Sequence, residues 1–476
     1  MSKLWKSLLP VVVGLAVFVL PAPQGLEPFA WTYFAIFVAV VLALILEPIP
    51  AAAAGLVGVT LAAVLRLVPM TGTATPSSGD AIKWALSGFS NGTVWLIFVA
   101  FMFAMGYEKT GLGKRIALLL IRALGRRTLG LGYAVALADL ILAPFTPSNT
   151  ARSGGTIFPI IENIPGLYGS TPEHEPRKIG GYIMWTALGT TCITSSLFLT
   201  GLAPNLLAVS LLQKTVNISI SWSEWFLAFA PVGVVLLLVF PWLAYKLYPP
   251  TLKTSEDAPR WAAEELSKLG PLTRKELTMA LLAILALCLW IFADKQINAT
   301  TAALAVLSLM ILFGVIEWSD LLANKQAWNV LFWFASLVTL ADGLSKVGFL
   351  KWFADTSAQA MAGASPMTVV ILLLLIFYGV HYLFASITAH VTALLPVFLT
   401  TAAAIPGVPL KTLAMLLCVS LGIMGILTPY ATGPSPIYYG SGFISRKEFW
   451  VQGLIFGLIF LAALLAIGVP WLSMGA

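Results

Sequence analysis

Apolar runs close to twenty residues long recur from one end of this chain to the other, among them "WTYFAIFVAVVLALIL" and "TMALLAILALCLWIF". A run of that length crosses a ~30 Å hydrocarbon core as a helix. Lipid offers backbone N–H and C=O groups no partner, so only helices and closed barrels span a bilayer. Barrel strands alternate apolar and polar residues, whereas these runs are continuous. The chain is therefore read as an all-α, polytopic membrane protein. Its composition agrees: 59% of 476 residues are hydrophobic and 10% charged, unlike a soluble domain.

Spans are expected near 8–22, 29–48, 51–68, 93–107, 178–213, 223–248, 276–293, 299–316, 328–345, 409–440 and 448–473, about eleven in all. Two further apolar stretches, 128–166 and 366–405, are too long for one span. "LAPFTPSNTARSGG" breaks the first and "FASITAHVTALLP" breaks the second. Each reads as a re-entrant helical hairpin, because irregular backbone at depth is tolerated only against protein or a wet cavity. With a cytoplasmic N-terminus, about nineteen Lys and Arg fall in cytoplasmic segments and about seven outside, with Arg152 left over. The net charge of +7 then reflects membrane orientation rather than a nucleic-acid partner. "MSKLWKSLLPVVVGLAVFVLPAP" imitates a signal peptide but has no clear small-x-small cleavage site, so it is read as a first span.

The halves repeat. "GYEKTGLGKRIA" at 106–117 aligns with "GLSKVGFLKWFA" at 343–354, matching Gly106/Gly343, Lys109/Lys346, Gly111/Gly348 and Lys114/Lys351. After a one-residue slip "SNTA" at 148–151 meets "SITA" at 386–389, Arg152 meets His390, and "TGLAP" at 200–204 meets "TGPSP" at 432–436. Five spans between the hairpin tips put them on opposite faces, so the repeat is inverted. Inverted repeats with broken helices at mid-depth are secondary-transporter architecture.

Each break leaves backbone amides or carbonyls unpaired, and a helix N-terminus suits a carboxylate. Ser148, Asn149, Thr150, Ser386 and Thr388 add short neutral donors and acceptors. Thr200, Gly201 and Pro204, with Thr432, Gly433 and Pro436, supply the opposing unwound walls. Arg152 is a permanent, bidentate cation for a carboxylate; its structural alternative is an ion pair with Asp139 or Glu162. His390 stands where Arg152 stands in the other half, against the alternative of an ordinary core histidine. The expected ligand is a small multivalent oxyanion. No nucleophile–base or acid pair marks an enzyme. Cys192, Cys288 and Cys418 lie singly, and neither a metal site nor a cofactor is expected. "GYEKTGLGKR" fails the P-loop spacing.

"LAPFTPSNTAR", the second S-x-T and the terminal "TPYATGPSPIYYGSGF" resemble the divalent anion:sodium symporter superfamily over nearly the whole chain. The similarity is to its branch of bacterial citrate/succinate and tartrate/succinate antiporters and plastid 2-oxoglutarate/malate translocators. The resemblance implies an eleven-span fold with two hairpins, a scaffold that forms a homodimer, and a transport part that moves like an elevator in the bacterial inner membrane, among lipid. On that plan 1–127 holds scaffold helices, 128–248 the first hairpin and transport helices, and 249–275 a cytoplasmic linker. Residues 276–365 and 366–476 repeat the two parts. Ser148, Asn149, Thr150, Ser386 and Thr388 then bind substrate. Sodium-coupled members have a second SNT where this chain has Ile387, and here Arg152 and His390 follow the motifs. The expectation is a sodium-independent exchanger of di- or tricarboxylates, its fixed cations standing in for sodium. The alternatives are a sodium- or proton-coupled symporter, an anion channel and, third, a membrane enzyme.

Overall fold

The structure, a computed structural model, describes residues 4–69, 76–293, 295–360 and 365–475. Among these residues no strand forms, and the only β-type pairing is an isolated bridge between Arg127 and Thr254. The fold is all-α. Among the described residues, seven helices are long and apolar enough to cross a bilayer: Pro28–Leu46, Thr128–Phe145, Trp222–Leu247, Arg274–Phe292, Lys325–Lys346, Pro366–Leu383 and Arg446–Ser473. Shorter apolar helices include Ala51–Val64, Ala299–Leu312 and Ile387–Ala403.

Helix starts follow from the sequence. Ser221 with Glu224, Thr273 with Glu276, and Ser445 with Glu448 each form a capping box that opens a long apolar helix. Two backbone donors without intrahelical partners are thereby satisfied at each start. The expected long spans at 178–213 and 409–440 are each interrupted. Gly180–Leu197 and Ala203–Val216 flank a short turn at Leu199–Gly201, and Leu410–Ile423 is followed by a turn and the short helix Ser435–Gly440.

The chain divides into two compact units. The first comprises 1–98, 206–220 and 325–418. Within it Tyr33 reaches across to donate to the Leu340 carbonyl at 2.7 Å, fixing the buried face of Pro28–Leu46. Asp342, nearly buried, forms ion pairs with both Lys214 (3.3 Å) and Lys346 (2.8 Å).

The second unit comprises 99–205, 221–324 and 419–476. Its centre is Gly180–Leu197, all of whose residues are buried. That helix carries Thr186, Thr190, Thr191, Thr194, Ser195 and Ser196. A fully enclosed helix so rich in hydroxyls needs partners for them, and several are found at the broken segments described below. On the unit's periphery, Arg115 binds Glu276 (2.6 Å) and Lys114 binds Glu265 (3.2 Å). Lys268 and Lys114 together hold the Glu265 carboxyl below its ordinary range.

The internal repeat is visible in backbone geometry. Gly111 (φ +78°) and Gly348 (φ +83°), matched in the alignment of the halves, both sit in the left-handed region just before a helix. A side chain is disfavoured there, which accounts for glycine at both places.

Candidate functional site

The two S-x-T motifs close alike. A single 3-10 turn precedes each, at Ala143–Phe145 and at His381–Leu383. Ser148 Oγ accepts from the Ala151 amide at 3.1 Å, and Ser386 Oγ accepts from the Ala389 amide at 3.4 Å. The Arg152 amide donates to the Ser148 carbonyl at 2.9 Å, and the His390 amide to the Ser386 carbonyl at 3.1 Å. The serines are thus N-caps, each leaving its own O–H free to donate. Beyond the caps the motifs diverge. Ile387–Ala403 is a regular α-helix, whereas Thr150–Ile157 is π-helical. Such wide turns are frequent at functional sites.

In the second unit the structure brings together Ser148, Asn149, Thr150, Arg152, Thr200, Gly201, Thr432 and Gly433. Asn149 Nδ2 donates to Thr432 Oγ1 at 2.8 Å. A Cβ on Gly433 would lie 1.8 Å from Thr150 Oγ1, so only glycine permits this approach. Ser153 Oγ meets the buried Tyr438 hydroxyl at 2.7 Å. On the other side Thr200 Oγ1 donates to the Pro144 carbonyl and accepts from Trp222 Nε1 at 3.1 Å. The Ala203 amide donates to the Pro147 carbonyl at 2.6 Å. Pro204 opens the next helix and is buried, while Pro436 is exposed. Among the described residues the Asn149 Oδ1 and the Thr150 hydroxyl are left without a hydrogen bond.

Arg152 is the hub. Its side chain is 0% exposed and all three nitrogens are engaged. Nε donates to Asp139 Oδ2 at 3.2 Å. Nη1 donates to two backbone carbonyls, Thr146 and Gly201, both at 2.8 Å. Nη2 donates to Thr191 (3.2 Å), Thr194 (3.2 Å) and Ser195 (3.1 Å). The carboxylate this guanidinium meets is the protein's own: of the two structural partners considered, Asp139 is buried against it and Glu162 is exposed. No N–H of Arg152 is left over for an anion in this conformation. It acts instead as a clamp, joining the carbonyl before the S-N-T tip to the carbonyl of the Thr-Gly break.

Ser386, Thr388 and His390 belong to the first unit. Thr388 is buried. His390 is 0% exposed, and its ring is packed against Phe377, His381 and Phe384 at centroid distances of 4.3, 5.0 and 5.0 Å. Neither of its ring nitrogens has a hydrogen-bond partner. A cation here would lack any acceptor among the described residues, so the geometry gives His390 no counterpart of the Arg152 clamp.

Sequence reasoning underweighted Asp139 and missed Thr191, Thr194 and Ser195. Signals for both existed. Asp139 is the single carboxylate in an otherwise apolar helix, which marks function or pairing. Thr191, Thr194 and Ser195 recur at helical spacing, which puts them on one face.

The whole chain, residues 1–475, matches the family described as the sodium:sulfate symporter transmembrane region. It is 48% identical over 480 residues to the citrate/succinate antiporter of Escherichia coli strain K12, covering 99% of each chain. It is 48% identical to the L-tartrate/succinate antiporter of Escherichia coli strain UTI89, with the same coverage. In fold it resembles the crystal structure of the Alcanivorax borkumensis YdaH transporter, with a TM-score of 0.55 and 14% identity over 90% of this chain and 97% of that one. With a match from end to end and relatives near half identical over the same span, the chain belongs to the sodium:sulfate symporter family of multi-pass membrane transporters.

Proposed function

We propose that this protein exchanges di- or tricarboxylates such as succinate, citrate, tartrate, malate or 2-oxoglutarate across a bacterial inner membrane, without sodium. Its N-terminus is cytoplasmic, on the distribution of Lys and Arg, and its scaffold homodimeric and its movement elevator-like, as the resemblance implies. The antiporter names of its relatives support the substrate class. One observation carries the sodium independence: Arg152 Nη1 lies between the carbonyls of Thr146 and Gly201 at 2.8 Å from each. Carbonyls converging from two broken segments make a site for a bare cation. Here the chain's own guanidinium takes it.

Ser148, Asn149 and Thr150, with Thr432 and Gly433 beside them, are proposed to receive a substrate carboxylate, using the hydrogen-bonding groups left over at the tip. Arg152, with Thr200 and Gly201, positions that tip rather than touching the anion. In the first unit Ser386 and Thr388 offer the same capped geometry. His390 packs behind them. Pro204 and Pro436 serve by keeping the breaks open, since proline cannot donate to a helix.

This geometry gives a reason for exchange rather than release. The Arg152 charge is already met by Asp139, so an empty site carries unfilled donors and acceptors, not a lone cation. Burying such groups without partners costs free energy that a bound carboxylate offsets.

Counterflow tests the reading. Labelled succinate should enter proteoliposomes preloaded with unlabelled succinate and hardly enter empty ones, at equal rates in sodium, potassium or choline. Saturable dependence on sodium favours the symporter instead. Uptake without internal substrate that follows the membrane potential favours a channel.

A further inference from the structure

The helix Leu112–Leu124 carries cations near both ends, but they are treated differently. Near its start Lys114 pairs with Glu265 and Arg115 with Glu276, and the Gly270 carbonyl accepts from Arg115 at 3.0 Å. Near its finish Arg122, and just beyond it Arg126 and Arg127, are exposed. None of these three side chains has an ion pair or hydrogen bond among the described residues. Helical spacing puts Arg122 on one face with Leu119 and Ala123, both exposed as well. The backbone beneath the arginines is fixed. The Ser255 amide donates to the Arg126 carbonyl at 2.9 Å, Ser255 Oγ donates to the Gly125 carbonyl, and Thr254 bridges to Arg127. Thr128 donates to the carbonyls of Leu252 (2.7 Å) and Lys253 (3.1 Å). Membrane orientation accounts for basic residues at a span's end. It does not account for three guanidinium groups gathered without an acceptor on a stitched backbone, when the same helix matches its other two cations.

An apolar wall begins beside them. Leu137 and Ile141, on Thr128–Leu142, are exposed, as are Leu238 and Trp242, on Trp222–Leu247. Tyr133 Oη donates to the Leu238 carbonyl at 2.6 Å, so the two helices offer one continuous surface. Thr128 opens the first helix and bonds to the segment that follows the second, so both meet the same membrane surface. We propose that Arg122, Arg126 and Arg127 form a binding site for an anionic phospholipid, with its phosphate on the guanidinium groups and its acyl chains along Leu137, Ile141 and Leu238. A guanidinium forks onto phosphate with two N–H donors, and its stem lies well against apolar surface. A zwitterionic choline lipid would bring its own cation to the arginines, and a soluble carboxylate would gain nothing from the wall. The inference does not depend on which anions are exchanged; it needs only that Thr128–Phe145 and Trp222–Leu247 span the bilayer.

The test uses the full-length protein, stripped of native lipid in detergent. It is titrated in mixed micelles with fluorescent dioleoyl phosphatidylglycerol, and with dioleoyl phosphatidylcholine as the neutral probe. Phosphatidylglycerol should bind saturably, more weakly as salt rises, and tighter than phosphatidylcholine by about tenfold or more. Arg122→Gln with Arg126→Gln and Arg127→Gln should weaken it about a hundredfold, each cation at a membrane surface being worth about fivefold. Lys114→Gln removes a cation that Glu265 already matches and should change binding by no more than about twofold. Should the triple variant not be recovered folded, Arg122→Gln alone still decides, with an expected loss of about fivefold. Equal binding of the two lipids, or folded variants that bind phosphatidylglycerol like the parent, overturn the site. Displacement of the lipid by soluble glycerophosphoglycerol, at concentrations where the lipid itself half-saturates, leaves a phosphate site with no use for the wall and overturns the lipid assignment. Displacement by succinate or citrate at such concentrations overturns it too, and makes the arginines a place where substrate collects.

Discussion

If exchange is independent of sodium as proposed, removing Arg152 should make the protein respond to sodium. Arg152→Ala leaves Asp139 enclosed and without the one ion-pair partner it has among the described residues. Breaking a buried pair from one side costs about 3–5 kcal/mol, a large share of a total stability of about 5–15 kcal/mol. It also leaves an oxygen-lined space: the carbonyls of Thr146 and Gly201, the hydroxyls of Thr191, Thr194 and Ser195, and the Asp139 carboxylate. Hard oxygen ligands with one negative charge suit a small monovalent cation. Sodium at about a hundred times its dissociation constant would restore about 2.7 kcal/mol. The assay is thermal melting of purified Arg152→Ala in sodium against choline, alongside succinate counterflow in the same salts. The melting temperature should rise with sodium in the variant only, and part of the exchange should return. The double substitution Arg152→Ala with Asp139→Ala separates fold from function. It abolishes the buried charge, so it should melt higher than the single variant without recovering transport or a response to sodium. If the double variant exchanges succinate as well as the parent, Arg152 is a dispensable structural pair and the clamp argument fails.

Asn149→Ala should fold and lose about ten- to a hundredfold in substrate affinity, since a hydrogen bond to a charged partner is worth about 1.5–3 kcal/mol; binding calorimetry reads this directly. Gly433→Ala forces its Cβ against Thr150 Oγ1, so counterflow should fall sharply in protein that still elutes as a single species, and Gly433→Ala with Thr150→Ser, which leaves Oγ in place, should not recover it. His390→Phe fills the same aromatic enclosure and should retain both the fold and succinate counterflow; loss of counterflow in folded protein would give the imidazole a role of its own. Lys109 is a partly exposed partner of Asp320 and Glu317, so Lys109→Ala should change neither counterflow nor its indifference to sodium by more than about twofold, as surface ion pairs contribute little.

The fold was legible because the strongest constraint on it, satisfaction of the backbone in lipid, writes itself into long apolar runs. The breaks were legible for the converse reason. Proline, glycine and hydroxyl residues inside such a run are costly unless something uses them, and "FTPSNTARSGG" and "TGPSP" mark the two segments that Asn149 and Thr432 tie together. The π-helical turn after Asn149 was not legible. Its residues carry no propensity for that geometry; it arises where Gly433 and Tyr438 press on Thr150 and Ser153 from 285 positions or so along the chain.

Charge was only half legible, and the missing half changes the chemistry. A lone arginine in an anion carrier invites the reading that it grips the anion. Desolvation argues otherwise: an enclosed guanidinium without a permanent counter-charge would cost several kcal/mol in every state lacking substrate. The chain resolves this with Asp139, thirteen residues earlier on the preceding helix. A neutralised clamp can stay buried whether or not substrate is bound. What it supplies is geometry, holding Thr146 against Gly201 so that the tip between them presents Ser148, Asn149 and Thr150. On the site proposed above, specificity for an anion then falls to neutral donors, and the empty carrier holds no lone buried cation.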